Sequence, residues 1–125
     1  MKNTMLAAIF VSVLLSSGAQ ILMKYGMIDS RVLKTMASRD YLGLALTVAT
    51  SPGVVGGLFS FAVSVALWLF VLSSVPLSTA YPFVALGICI TTFAGYALFH
   101  DVITLTKLAG VALIVCGITL VAVAR

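Results

Sequence analysis

The chain has 125 residues, of which 62% are hydrophobic and only 8% are charged. A soluble domain of this size needs far more charge to cover its surface, so the composition excludes a water-soluble globular protein. The expected fold class is an all-α membrane protein with four transmembrane helices, and the whole chain (1–125) is expected to form one four-helix transmembrane domain.

The first apolar run covers about 4–25, close to the roughly 20 residues that a helix needs to cross a bilayer. Its beginning also resembles a secretory signal, with Lys2, an apolar stretch and small residues before Gln20. We nevertheless expect this segment to be retained as the first span.

A polar stripe runs through the first span, because Ser12, Ser16, Gln20 and Lys24 recur at every fourth position. Residues four apart lie on one slowly turning face of a helix. Polar groups are costly in hydrocarbon unless they are paired, so such a face usually turns toward a bundle interior or a wet cavity. The two serines alone favour helix packing, and Lys24 could reach the headgroups, but Gln20 with Lys24 favours a binding site.

An interfacial segment of about 29–50 is predicted between the first and second spans. Apolar residues recur at helical spacing in its first part, which is typical of an amphipathic helix at the membrane surface. An ordinary solvated loop is the alternative. Three cations in this part are expected to face anionic headgroups. They are Arg31, Lys34 and Arg39.

The second span is predicted at about 53–74. Residues 41–74 are apolar almost throughout, but one helix of that length would extend about 51 Å, well beyond the hydrocarbon core. Pro52 predicts the break, because proline disfavours helix in the preceding residue and donates no backbone hydrogen bond. Residues 41–50 are then expected to lie at the interface or to re-enter the membrane. Three glycines should let another backbone approach closely. They are Gly53, Gly56 and Gly57.

The third span is predicted at about 78–99, antiparallel to the second, because the connection at Val75 and Pro76 is very short. Pro82 removes the usual donor for the Ser78 carbonyl, which predicts a kink near the start of this span. Tyr81 beside this kink is a candidate ligand residue, with an interfacial anchor as the alternative.

No group of residues indicates an enzyme. His100 and Asp101 follow the third span without a serine or cysteine nucleophile placed to complete a triad, so we expect them to mark the water boundary and face the headgroups. Cys89 and Cys116 lie in apolar runs, where thiols behave as small hydrophobes. We therefore expect no catalytic residue, no metal, no cofactor and no nucleic-acid partner.

The fourth span is predicted at about 105–124 and carries a candidate dimer interface. Gly110 and Gly117 are seven residues apart and share one face, with Leu113 and Ile114 between them. Four spans enclose little volume, so a transport pathway would form most naturally between two copies or with a partner.

Basic residues are distributed unequally along the chain. Lys2 and Arg125 belong to the side of the termini, whereas five cations belong to the other side. These five are Lys24, Arg31, Lys34, Arg39 and Lys107. The positive-inside rule predicts that both termini face outward and that the first and third loops face the cytoplasm.

The four-span layout, the stretch from Gly110 to Gly117, and Leu22-Met23-Lys24 at the end of the first span resemble the small multidrug resistance family. This resemblance implies a dimer seam on the fourth span and a first-span glutamate that exchanges protons for cationic substrates. Ser16 stands in the place of that glutamate, so the proton-exchange residue is absent.

The chain is more similar to the small flippase subunits for aminoarabinose linked to phosphoundecaprenol, within the drug and metabolite transporter (EamA-like) superfamily. The shared patterns are Gly18, Gln20 and Lys24; Trp68-Leu69, Val71-Leu72 and Val75-Pro76; Ala80-Tyr81-Pro82; and Phe99-His100-Asp101. The resemblance implies a transporter of the bacterial inner membrane that serves lipopolysaccharide or glycolipid synthesis. It also implies a homodimer, or a heterodimer with a homologous four-span subunit.

The acidic residues separate two transport functions. A cation exchanger needs a buried carboxylate, but the three acids, Asp29, Asp40 and Asp101, lie outside the predicted spans. Export of hydrophobic cations is therefore disfavoured and stays an alternative, as does an accessory subunit of a membrane glycolipid enzyme that transports nothing. Neutral hydrogen-bonding groups beside one cation suit a phosphate headgroup on an apolar tail.

We therefore predict a flippase, or a flippase subunit, for a polyprenyl-phosphate-linked sugar in the lipid bilayer. Gln20 and Tyr81 are expected to meet the sugar or phosphate, and Lys24 to neutralise the phosphate. The candidate substrate-binding residues are Ser16, Gln20, Lys24, Trp68 and Tyr81.

Overall fold

A computed structural model describes residues 3–124, and every regular element in that range is helical. The first long helix, α1, is followed by two short helices and then by three further apolar segments. Their bounds are α1 Asn3–Met27, α2 Ser30–Ala37, α3 Tyr41–Thr50, α4 Pro52–Leu72, α5 Leu77–Ala80, α6 Val84–Phe99 and α7 Leu105–Val123. Within the described range, four helical segments are long and apolar enough to span a membrane, with α5 and α6 forming one of them. The all-α fold class and the separate segment between the first two spans are confirmed.

The predicted break before the second span is present at Ser51. Its backbone is extended, with φ −69° and ψ 122°, and α4 begins directly at Pro52. The first turn of a helix tolerates proline, since the amide hydrogen that proline lacks has no intrahelical partner there. The preceding helix, α3, has ten residues and none of them is buried. Ten residues are too few to cross a bilayer, and the position of α3 at the membrane interface stays a prediction.

The third span is interrupted where Pro82 predicts it. Tyr81–Phe83 form a single 3₁₀ turn between α5 and α6. At its other end, α6 stops because His100 adopts the left-handed backbone conformation, with φ 54°. The amide of Asp101 donates to the carbonyl of Gly95 at 3.0 Å and closes this helix end.

Helices α1 and α4 form the most extensive helix pair and run antiparallel. At one end their contact includes a buried cluster of Ile9, Val13, Val71, Val75 and Ala80. At the other end the two backbones touch. A Cβ atom added to Gly53 would lie 2.9 Å from the Leu22 carbonyl oxygen, and one added to Gly57 would lie 2.8 Å from that of Ala19. The predicted close approach is confirmed for these two glycines.

Gly56 differs from its neighbours, because among the described residues no heavy atom lies within 4 Å of an added Cβ there. The prediction of close approach is wrong for this glycine. One residue on an α-helix turns the side-chain direction by about 100°, so Gly56 points away while Gly57 faces α1.

Helix α6 runs parallel to α1, as two aromatic contacts show. The Phe10 and Phe83 rings lie 5.7 Å apart near one end, and the Tyr25 and Phe99 rings lie 4.7 Å apart near the other. Helix α7 packs beside α6 and contains no buried residue. The long helices thus alternate in direction, and the α1 C-terminus lies at the same end as the α6 C-terminus. The predicted membrane orientation depends on Lys2 and Arg125, which lie outside the described residues.

Candidate functional site

A cavity of about 270 Å³ lies between α1, α4 and α6. This volume is near the lower limit for sites that bind small molecules. Among the described residues, every side chain that lines it is uncharged. The residues with hydrogen-bonding side chains are Ser12, Ser16, Ser17, Gln20, Ser64, Trp68 and Thr91. Three predicted site residues, Ser16, Gln20 and Trp68, therefore line one cavity.

Four hydroxyl groups in this cavity are already paired within the protein. The Ser12 and Ser64 hydroxyls each donate to the backbone carbonyl of the other residue, both at 3.0 Å. The Ser16 hydroxyl donates to the Val13 carbonyl at 3.0 Å, and the Thr91 hydroxyl donates to the Gly87 carbonyl at 2.9 Å. The hydrogen atoms of these four hydroxyl groups are therefore not available for donation to a ligand, and the groups serve as walls of the cavity.

Three other polar groups have no hydrogen-bond partner in the part of the chain that the structure describes. They are the Ser17 hydroxyl, the Gln20 amide and the Trp68 indole N–H. Ser17 is only 2% exposed, yet it lines the cavity. In the described buried and half-buried residues, no unpartnered side-chain polar atom is shut off from solvent, and Gln20 is exposed, so these three groups are accessible to a polar ligand or to water. These three groups are the binding groups that the cavity offers.

Gly87 forms the wall opposite Ser17. A Cβ atom added to Gly87 would lie 3.2 Å from the Ser17 oxygen and 3.6 Å from a Val13 methyl carbon. A side chain at this position would therefore narrow the cavity beside its most buried free hydroxyl. The glycine keeps this part of the cavity open.

Lys24 does not line the cavity. It lies on α1 one turn beyond Gln20, which is itself exposed. The Lys24 ammonium nitrogen lies 5.9 Å from the centre of the Phe99 ring, and Phe99 packs against Tyr25. Over residues 3–124, no carboxylate lies within 4 Å of this ammonium group. The ammonium group of Lys24 thus lies beside the Phe99 ring, near the Gln20 end of the cavity.

Tyr81 lies far from Lys24. It lines a different cavity, of about 320 Å³, together with Ile114 and Gly117 of α7. Helix α6 separates Tyr81 from Phe99 and, with 16 residues, spans about 24 Å. The structure therefore does not bring Tyr81 together with Gln20 and Lys24. Because the first and third spans run in the same direction, the end of the first span, with Lys24, and the start of the third, with Tyr81, lie at opposite ends of the bundle.

The predicted headgroup-facing residues lie at the Lys24 end of the bundle and are all exposed. Arg31 forms a salt bridge of 3.5 Å with Asp29, whose carboxylate also caps α2. His100 and Asp101 terminate α6 at the same end. The set is Arg31, Lys34, Arg39, His100 and Asp101. Their contact with lipid headgroups stays a prediction.

The predicted dimer interface is an open face of α7. In the described range, no heavy atom lies within 4 Å of a Cβ added to Gly110 or Gly117. Leu113 is 72% exposed and Ile114 is also exposed. This face is accessible in the single chain, and its role in association stays a prediction.

Sequence reasoning missed Ser17, Ser64, Thr91 and Gly87. Ser17 falls between the four-residue repeats of the stripe, but it lies three residues before Gln20 and so shares its side of the helix. Ser64 is a polar residue in the middle of an apolar span, which is a signal for an interhelical contact. The local sequence around Gly87 does not indicate its role, because that role depends on the position of Ser17 on another helix.

Comparison with known proteins agrees with the motif resemblance. The chain is similar to the probable 4-amino-4-deoxy-L-arabinose-phosphoundecaprenol flippase subunit ArnF of Enterobacter sp. (strain 638). The two are 35% identical over 116 residues, and this aligned region covers 89% of this chain and 88% of that protein. The ArnF subunit of Serratia proteamaculans (strain 568) is 34% identical over 116 residues, covering 88% and 85%. The corresponding subunit ArnE of Enterobacter sp. (strain 638) is 46% identical over 54 residues, covering 43% and 50%.

No family model matches the chain, and no solved structure matches it. The ArnF similarity nevertheless covers nearly all of both chains, and it accompanies four apolar helices in the described range. This protein is a multi-pass membrane protein, and its relatives are named as subunits of a transporter. The chain belongs to the ArnF family of probable 4-amino-4-deoxy-L-arabinose-phosphoundecaprenol flippase subunits.

Proposed function

We propose that this chain is one subunit of a flippase that moves a polyprenyl-phosphate-linked sugar across the bacterial inner membrane. The headgroup binds between α1, α4 and α6. Three unpartnered hydrogen-bonding groups, those of Ser17, Gln20 and Trp68, carry this proposal. The names of the relatives, which describe a lipid-linked amino sugar as their substrate, support the same class of ligand.

The chemistry of the cavity suits a sugar. Sugar hydroxyls donate and accept, and the Gln20 amide does both within one side chain. The Trp68 indole offers an N–H donor together with an apolar face for the C–H groups of a ring. The sugar loses hydrogen bonds to water when it enters the cavity. Hydrogen bonds to the protein offset this desolvation cost, because a polar group in an apolar environment is costly only when it lacks a partner.

Exchange of protons for cations fits the cavity less well. Such exchange needs a carboxylate that binds either a proton or the cation. The carboxylates of Asp29 and Asp40 cap α2 and α3, and the Asp101 carboxylate turns back toward Gly95 and lines a separate cavity beside α7. The cavity walls are hydroxyl, amide, aromatic and aliphatic groups. We therefore propose transport of a lipid, with no chemical change to it.

We further propose that the chain works in a pair with a second four-helix subunit. The open α7 face with Gly110 and Gly117 supports this pairing, as does the similarity to both ArnF and ArnE subunits. A second copy of this chain and a homologous partner are the two candidates. In the pair, both termini of this chain face outward and the basic loops face the cytoplasm.

Transport by reconstituted protein tests the proposed function. Proteoliposomes receive the full chain, alone or with a homologous four-helix subunit from the same genome, and a short-chain polyprenyl phosphate that carries arabinose. We expect the lipid to change leaflets, and Gln20→Leu to slow this movement, since leucine removes the amide. Gly18→Ala is the control, because its added methyl group has open space around it.

A hydrophobic quaternary cation is tested in the same vesicles. Cation flux without lipid movement would contradict the flippase proposal and favour the exporter. Absence of lipid movement in both the single-subunit and the two-subunit vesicles would favour an accessory subunit that transports nothing.

A further inference from the structure

We infer, on the basis of the proposed function, that the headgroup site is divided into two parts. The cavity takes the sugar ring, while the phosphate stays outside it and binds Lys24. The lipid is thus held with its ring pointing from Gln20 into the bundle, toward Trp68 at the other end of the cavity.

The charges around the cavity support this division. Every described side chain that lines the cavity is uncharged, so a phosphate inside it would be a buried charge without a counter-ion. Lys24 lies outside, one turn beyond Gln20, which corresponds to a rise of about 6 Å along α1. Adjoining parts of one headgroup can therefore contact the Gln20 amide and the Lys24 ammonium together.

Phe99 keeps the Lys24 ammonium available for the phosphate. The ammonium nitrogen lies 5.9 Å from the centre of the Phe99 ring, just within the limit of about 6 Å for a cation–π contact. Tyr25 supports Phe99, with the two rings 4.7 Å apart and tilted by 54°. An aromatic ring orients the cation without neutralising it, whereas a carboxylate in the same place would compete with the phosphate.

The cavity is large enough for a sugar ring. Its volume of about 270 Å³ equals that of about nine water molecules at their share of liquid volume. Gly87 and Ser17 form the narrow part, where an added Cβ atom would lie 3.2 Å from the Ser17 oxygen.

The chain contains one tryptophan, Trp68, and it lines the cavity, so its fluorescence reports on what enters. The test titrates the purified full chain in lipid nanodiscs with farnesyl phosphate and with farnesyl phosphate that carries one arabinose. Calorimetry measures the binding of each lipid. We expect both lipids to bind, and only the sugar-bearing lipid to shift the Trp68 emission.

Two variants separate the two parts of the site. Lys24→Met should lower the binding affinity for both lipids by about tenfold to a hundredfold, because it removes a charge-assisted hydrogen bond. Lys24→Arg should retain most of the affinity, because the positive charge is kept. Gly87→Ala should lower the binding affinity for the sugar-bearing lipid alone, by about fivefold to a hundredfold, because the added methyl group narrows the cavity. Gly56→Ala, which adds a methyl group in open space, should change neither affinity.

The possible results distinguish this inference from the proposed function. The divided site would be overturned if farnesyl phosphate shifted the Trp68 emission as much as the sugar-bearing lipid does. It would also be overturned if Gly87→Ala lowered the affinity for both lipids equally. Either result would leave the flippase proposal standing. If neither lipid binds, in nanodiscs that hold the chain alone or together with the homologous four-helix subunit, the proposed function itself fails.

Discussion

Ser12 and Ser64 join α1 to α4 through two reciprocal hydrogen bonds. Each hydroxyl donates to the backbone carbonyl of the other residue at 3.0 Å, and the two hydroxyl oxygens lie 3.4 Å apart. Both residues are buried, with exposed fractions of 2% and 4%. Both also line the cavity, so this pair fixes the distance between two of its walls.

Removal of either hydroxyl should destabilise the folded bundle. We expect Ser12→Ala and Ser64→Ala each to lower the free energy of unfolding by about 0.6–2 kcal/mol, the range for interhelical hydrogen bonds in membranes. Their effects should not add, because the two residues form one unit. Unfolding in mixed detergent micelles measures this loss. Ser16→Ala is the control, since that hydroxyl bonds within its own helix, and an equal loss there would contradict the interhelical role.

The close approach of α1 and α4 predicts a contrast between neighbouring glycines. Gly53→Ala should lower the free energy of unfolding by about 1–3 kcal/mol, because its methyl group would meet the Leu22 carbonyl at 2.9 Å. Gly56→Ala should change stability by less than about 0.5 kcal/mol, because it points into open space. The same unfolding assay compares them, and similar losses for both would show that α4 does not turn its Gly53 face toward α1.

Membrane orientation is testable in the loops that the structure describes. In a chain without its native cysteines, Ser74→Cys should react with a membrane-impermeant thiol reagent added outside intact cells. Ser38→Cys should react only after the membrane is opened, because the basic first loop is expected in the cytoplasm. Both serines are exposed, so access to reagent depends on the side of the membrane. Reversed labelling would show that the termini face the cytoplasm.

The open face of α7 predicts where the subunit associates. Gly110→Leu combined with Gly117→Leu should abolish crosslinked dimer while membrane insertion is retained, because bulky side chains hold facing helices apart. Crosslinking after co-expression of differently tagged chains detects pairs of this chain, and a tagged homologous subunit detects mixed pairs. Unchanged crosslinking in both experiments would locate the interface on another helix.

The helical elements of this fold can be predicted from the amino-acid sequence. Hydropathy predicted four long apolar helices, Pro52 predicted the break before α4, and Pro82 predicted the interruption before α6. These features depend on side-chain hydropathy and on local backbone chemistry, since proline acts on its own residue and its neighbours. Each can therefore be read from a short stretch of chain.

Which polar residues share a site depends on the packing of the helices against one another. The stripe on α1 looks uniform in sequence, yet Ser12 bonds to α4, Ser16 bonds within its own helix, and Gln20 faces the cavity without a partner. Ser17 lines the site opposite Gly87, and Lys24 lies outside it, beside the Phe99 ring. The physical reason is that helix rotation and spacing in a bilayer follow from packing between distant segments, which local patterns do not encode.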